Sequence, residues 1–129
     1  MAGWNTNVGG VVYRGAANAQ PTRHVIKRAL ANVAAGATDS VVVAAVAGKK
    51  IVVIFVVAVA GGTATDLTFN TKPAGAGTAI SPLFANGING GEVLARNDHG
   101  WFETTSGEGL TVTTGAGATT GLLVGYVEE

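Results

Sequence analysis

The sequence predicts an all-β protein: an antiparallel, jelly-roll-like β-sandwich preceded by an extended N-terminal arm. Three observations predict it. Val, Ile and Thr number 18, 5 and 15, while Leu, Glu, Lys and Gln number only 7, 5, 4 and 1, so the β-branched residues of pleated sheets abound and the usual helix formers are scarce. The 20 glycines are scattered at short intervals, as turns between strands require. No stretch repeats apolar residues at the three-and-four spacing of a capped helix.

Residues 1–22 are irregular, with Gly9-Gly10, Gly15, Asn18 and Pro21, and read as an arm outside the main core. Its large apolar groups are Trp4 and the run Val11-Val12-Tyr13; with Arg14 beside them, Trp4, Val11, Tyr13 and Arg14 are its candidate docking residues. Residues 23–129 then form the sandwich domain. A first strand runs from His24 to Val33, and residues 36–39 turn the chain. Val41 to Val46 follows, closed by Gly48-Lys49-Lys50, a turn whose lysines suit water. Ile51 to Ala60 is a long strand ended by Gly61-Gly62. Leu67 to Thr71 alternates: Leu67 and Phe69 face one way, Asp66, Thr68 and Asn70 the other. Residues 72–77 contain Pro73, Gly75 and Gly77 and form a loop. Thr78 to Phe84 contains Pro82, which places it at an edge. Asn86-Gly87 and Asn89-Gly90-Gly91 are turns. Glu92 to Arg96, Trp101 to Thr104, Leu110 to Thr113 and Thr119 to Val127 complete the set. Strands spaced about 8 to 12 residues apart point to a sandwich or barrel. The links are too short for parallel crossovers.

The chain has 129 residues, enough for one domain with its own core. Charged residues are 12% of it, about half the usual ~25%. Eight basic residues balance eight acidic ones, which argues against nucleic acid as a partner because phosphate binding needs a basic excess or face. Without cysteine there is no disulfide framework, thiolate zinc site or cysteine nucleophile. Mean hydropathy is positive, +0.37, yet no apolar run reaches the ~20 residues of a membrane helix, so no membrane partner is expected. The N-terminus lacks a basic head followed by an apolar stretch, so the chain is expected to be made in a cytoplasm and to leave it only within a larger particle.

Ile51 to Ala60 has no polar residue on either face. Strict alternation puts Ile51, Val53, Phe55, Val57 and Val59 on one side and Val52, Ile54, Val56, Ala58 and Ala60 on the other. One side fills the core. The other needs a cover: the arm, a loop or another subunit. Burying each Val or Ile is worth roughly 1.5 kcal/mol or more, and an uncovered face of this kind invites aggregation. With so few charges on the chain, packing between subunits is the favoured expectation. Val52, Ile54 and Val56, with Trp101, are its candidate interface residues. The alternative is a strand covered by loops of its own monomer.

From Gly90 onward, Gly90-Gly91, Asn97-Asp98-His99-Gly100-Trp101-Phe102-Glu103-Thr104, Gly107-Glu108-Gly109-Leu110 and Gly125-Tyr126-Val127, with Ala47-Gly48-Lys49-Lys50-Ile51 upstream, form a pattern of turn residues and spacing. It resembles a group of small bacteriophage virion proteins over residues 25–127. The resemblance implies a structural component of the particle: a head decoration (cement) protein, or a short tail or fibre module. Proteins of the first kind are often sandwich or jelly-roll trimers on the capsid exterior. The expected partners are copies of this chain, as a homotrimer, and the major capsid protein; no cofactor is implied.

Other chemistry is weakly supported. Asp98, His99 and Ser106 are the residue types of a hydrolase triad, but adjacent Asp and His cannot orient one another and no G-x-S-x-G turn is present. Asp98, His99 and Glu103 lack diagnostic metal-ligand spacing. Glu92, Glu103 and Glu108 read as surface charge more readily than as a glycosidase pair. Gly115-Ala116-Gly117 lacks the lysine of a phosphate loop. Arg14, Arg23, Lys27 and Arg28 form a basic cluster that suits an acidic partner surface or simply water. Enzymatic activity is not expected. The competing function is a fibre module binding a host glycan or receptor through Trp101, Asn97, Asp98 and His99.

Overall fold

A computed structural model describes residues 10–14 and 22–129, leaving aside the side chains of Val12 and Arg14. All regular structure among them is strand, in two five-stranded antiparallel sheets packed face to face and a small hairpin. The hairpin pairs β1 (Val11–Arg14) with β2 (Thr22–Val25). The expected arm therefore falls mostly outside the described residues, and within Val11–Arg14 the chain is extended and paired.

The first sheet runs β3 (Lys27–Val33), β12 (Thr120–Glu128), β5 (Ile51–Ala60), with β9 (Gly91–Leu94) and β10 (Phe102–Glu103) sharing the far side of β5. The second runs β4 (Ser40–Val43), β11 (Gly109–Thr114), β6 (Thr65–Lys72), with β7 (Thr78–Ala79) and β8 (Phe84–Asn86) sharing the far side of β6. Counting each shared side as one, eight strand positions fall four to a sheet, β3-β12-β5-β9/β10 and β4-β11-β6-β7/β8, the strand order of a jelly roll. The segment around Pro82 is an edge, as its proline requires, and is divided into β7 and β8.

The core lies between the sheets. Val33, Ile51, Val53, Val56, Ala58, Leu122 and Val124 from the first meet Val43, Leu67, Phe69, Leu110 and Val112 from the second. Phe69 sits at its centre, with the Phe102 ring 5.0 Å and the Phe84 ring 6.4 Å away.

The expected interface residues Val52, Ile54 and Val56 require correction. Each is at most 1% exposed in the single chain. Strict alternation fails because β5 holds a bulge. Gly125 pairs with Phe55 but Tyr126 pairs with Val53, so Ile54 is an extra residue. Ile51 and Val53 face the core before the bulge; Val56 and Ala58 face it afterwards. Val52 and Ile54 join Ile26 and Val127 in a second small cluster, with Phe55 packed against it. Ile26 links β2 to β3, and its amide donates to the Gly10 carbonyl at 3.2 Å. Half of the apolar outer flank of β5 is thus covered by the chain itself.

Candidate interaction surface

The two outer walls of the sandwich differ in chemistry. On the second sheet, Asp66, Thr68 and Asn70 alternate with the core residues Leu67 and Phe69 as the sequence predicts, and Thr111 and Thr113 stand opposite Asn70 and Thr68. Asp39 ties this wall to its loops. Its Oδ1 accepts from Asn70 Nδ2 at 3.3 Å and Thr111 Oγ1 at 3.1 Å, and its Oδ2 accepts from the Gly77 amide at 3.0 Å.

The outer wall of the first sheet is apolar beyond the bulge. Register places Val93 opposite Val57, Val57 opposite Leu123 and Leu123 opposite Leu30, so four strands contribute one stripe. Such neighbours stand about 5 Å apart and touch. Leu30 is 81% exposed, Val93 72% and Val59 48%; Val57 and Leu123 are half-buried. Phe55 lies over Gly125, where an added Cβ would collide with its ring, so a flat aromatic borders the stripe. The outward positions of β3 are Arg28, Leu30 and Asn32, a period-two pattern with a leucine between polar residues. That pattern was the available signal for this surface.

Trp101 is 44% exposed, whereas Phe102 packs on the core; the two rings face opposite ways, as an extended segment requires. Gly100, at φ +83°, makes the turn before the ring. The loop of residues 95–101 connects β9 to β10 past the bulge of β5, where the Asn97 amide donates to the Ile54 carbonyl at 2.9 Å. Its polar groups are largely engaged within the protein. The Trp101 indole N–H donates to the Ala95 carbonyl at 2.7 Å. Asn97 Oδ1 accepts from the His99 amide, and its Nδ2 donates to the Gly100 carbonyl. Arg96 pairs with Asp98 at 2.8 Å and donates to the Val11 carbonyl at 2.7 Å, anchoring β1.

Of the other candidate docking residues, Val11 is buried at 5% and Tyr13 exposed at 58%, while Trp4 and the Arg14 side chain lie outside the described residues. Tyr13 stands opposite Arg23, an exposed residue. Lys27 pairs with Glu128 at 3.1 Å.

The three glutamates do not share a site. Glu103 pairs with Lys50 at 3.4 Å, and Glu108 accepts from Thr71 Oγ1 at 2.8 Å. Glu92 stands opposite Ala58 and faces the sandwich interior; its carboxylate oxygens are shielded from water without a well-placed hydrogen-bond donor. Burial pushes its carboxyl above the ordinary range, and the Asn86 amide offsets part of the rise. Among the described residues, no three His, Asp or Glu side chains gather to hold a metal ion. Comparison with protein-family models, curated proteins and solved structures gave no match for this chain.

Proposed function

We propose that this chain is a structural protein of a bacteriophage virion, a capsid decoration protein that associates with copies of itself and stabilises the head shell. The observation that carries this reading is the unequal chemistry of the two walls: one mainly polar and hydrogen-bonded, with Val41 exposed on its β4 edge, the other bearing the apolar stripe of Leu30, Leu123, Val57 and Val93, exposed at Leu30 and Val93. An apolar stripe spanning four strands belongs against another protein surface, and a second copy offers a surface of matching chemistry. The jelly-roll order and the resemblance over residues 25–127 supply the setting: the exterior of a capsid, with a homotrimer as the expected assembly. Binding only to the assembled shell would stabilise that shell by mass action. The exposed Arg23 and Arg28 suit an acidic region of the major capsid protein.

Copy number tests the reading. Counted on purified particles of the encoding phage, hundreds of copies support a shell component. A handful would move the chain to the tail or a fibre, and none would reject a virion role. Substituting Val57 and Val93 by lysine is expected to lower occupancy while leaving the circular dichroism spectrum unchanged. Unaltered occupancy would reject the stripe as the contact. A glycan array hit abolished by Trp101→Ala would instead support the fibre reading, which the engaged polar groups of the 95–101 loop disfavour.

A further inference from the structure

We infer that β3 is a self-pairing edge: two copies join antiparallel along Lys27–Val33, centred on Leu30, and merge their first sheets into one. The inference rests on the self-association proposed above and assigns one of its contacts. Among the described residues β3 pairs only with β12, so its other side carries main-chain donors and acceptors with no strand partner. Sheet edges are normally blunted by shortness, proline or charge. The edges formed by β4, β7, β8, β9 and β10 are two to four residues long, whereas β3 has seven. From Ala29 to Val33 it carries neither charge nor proline. A shallow groove lined by Leu30, Ala31, Asn32 and Leu122 follows this edge, and Leu30 stands exposed at its middle.

Charge placement selects the direction and register. Lys27 and Arg28 occupy one end of the strand. A parallel partner would stack these charges on their counterparts. Antiparallel pairing about Leu30 sets Leu30 against Leu30, Ala29 against Ala31, Arg28 against Asn32 and Lys27 against Val33, so no like charges meet. Sliding toward the basic end brings the charges together, and sliding the other way leaves fewer residues paired. The apolar stripe then runs unbroken from one copy into the next.

The contact is small. A seven-residue strand is about 23 Å long, and a joint of that length falls below the ~1,200 Å² of a standard stable interface. It is therefore weak in dilute solution and fills when neighbouring copies are held side by side, as on a lattice. Its twofold symmetry differs from that of a trimer, so it links copies in adjacent assemblies.

The absence of cysteine gives a clean background for testing. In the stated register residue 30 meets itself, with Cα atoms about 4.5–5.5 Å apart, within disulfide reach. Leu30→Cys is expected to form disulfide dimers on mild oxidation roughly tenfold faster than Asn32→Cys or the exposed control Leu83→Cys, which lies outside the stripe. A mixture of Arg28→Cys and Asn32→Cys chains is expected to give the heterodimer. Equal rates for all three single variants would overturn the pairing. As an independent readout, Leu30→Lys is expected to abolish the concentration-dependent dimer seen by sedimentation; a wild type that stays monomeric at millimolar concentration, together with a Leu30→Cys chain that does not cross-link on particles, overturns it as well. Many copies on the particle without a residue-30 cross-link would reject the edge and leave the decoration reading standing. Cross-linking in solution with no copies on the particle would do the reverse.

Discussion

Replacing Asp39 by alanine would leave the Gly77 amide and the Thr111 hydroxyl without their acceptor and take one of two acceptors from Asn70 Nδ2. Hydrogen bonds to a charged group are worth about 1.5–3 kcal/mol, so Asp39→Ala is expected to lower stability by about that amount in urea denaturation. Asp39→Asn is expected to cost less, because asparagine retains an acceptor and tolerates the φ of +50° found there. Glu92 makes the opposite case. Its carboxyl holds a proton more tightly in the folded protein than in the unfolded chain. Its contribution to stability is therefore greatest below the unfolded carboxyl pKa and declines as pH rises through the folded value. Glu92→Gln is expected to raise the melting temperature relative to wild type at neutral pH, with the gain shrinking toward pH ~4, where the wild-type carboxyl is itself neutral. A gain independent of pH would show that ionisation at residue 92 is not the cause.

At the scale of elements, β5 shows what the sequence allowed and what it hid. Its length and apolar character were legible in Ile51 to Ala60, and Gly61-Gly62 marked its end. The alternation of Leu67 and Phe69 with polar neighbours gave β6 its inner and outer faces correctly. The bulge at Ile54 left no trace, because a strand apolar on both sides looks the same in either phase. It is set by the partner strand: Gly125 admits the Phe55 ring, and the shift follows at once. For the same reason strict alternation places Val56 outside with Val52 and Ile54, whereas the bulge turns Val56 into the core and Val57 outward. The bare residues come from four separate strands, whose adjacency depends on the sheet order; only the Arg28, Leu30, Asn32 alternation hinted at them. Gly125→Ala is expected to displace the Phe55 ring and cost about 1–3 kcal/mol, measured by denaturant midpoint. Adding Phe55→Leu should recover part of that loss if the two positions couple.

At the scale of the molecule, the sheet order joins distant parts of the chain. β12 is hydrogen-bonded between β3 and β5, so Lys27 stands opposite Tyr126 and the first sheet cannot close without the last strand. Such non-local pairing makes folding slow, and refolding followed by Trp101 fluorescence in a Trp4→Phe background is expected in the range of about milliseconds to seconds. A microsecond phase carrying the full amplitude would contradict this topology. Removal of residues 120–129 is expected to abolish the β-sheet circular dichroism signal altogether, not merely to fray an edge.

The extra residue in β5 has a genetic corollary. Because the two halves of the strand are out of phase across Ile54, no point substitution can bring them into step. Losing that one codon would do so: Phe55 would follow Val53 directly, and Ile51, Val53, Val56 and Ala58 would all stay inward in one regular alternation, with only the buried Ile54 side chain lost. This gene should therefore tolerate an in-frame triplet deletion at codon 54 better than one at codon 57, which would turn Ala58 outward and Val59 inward.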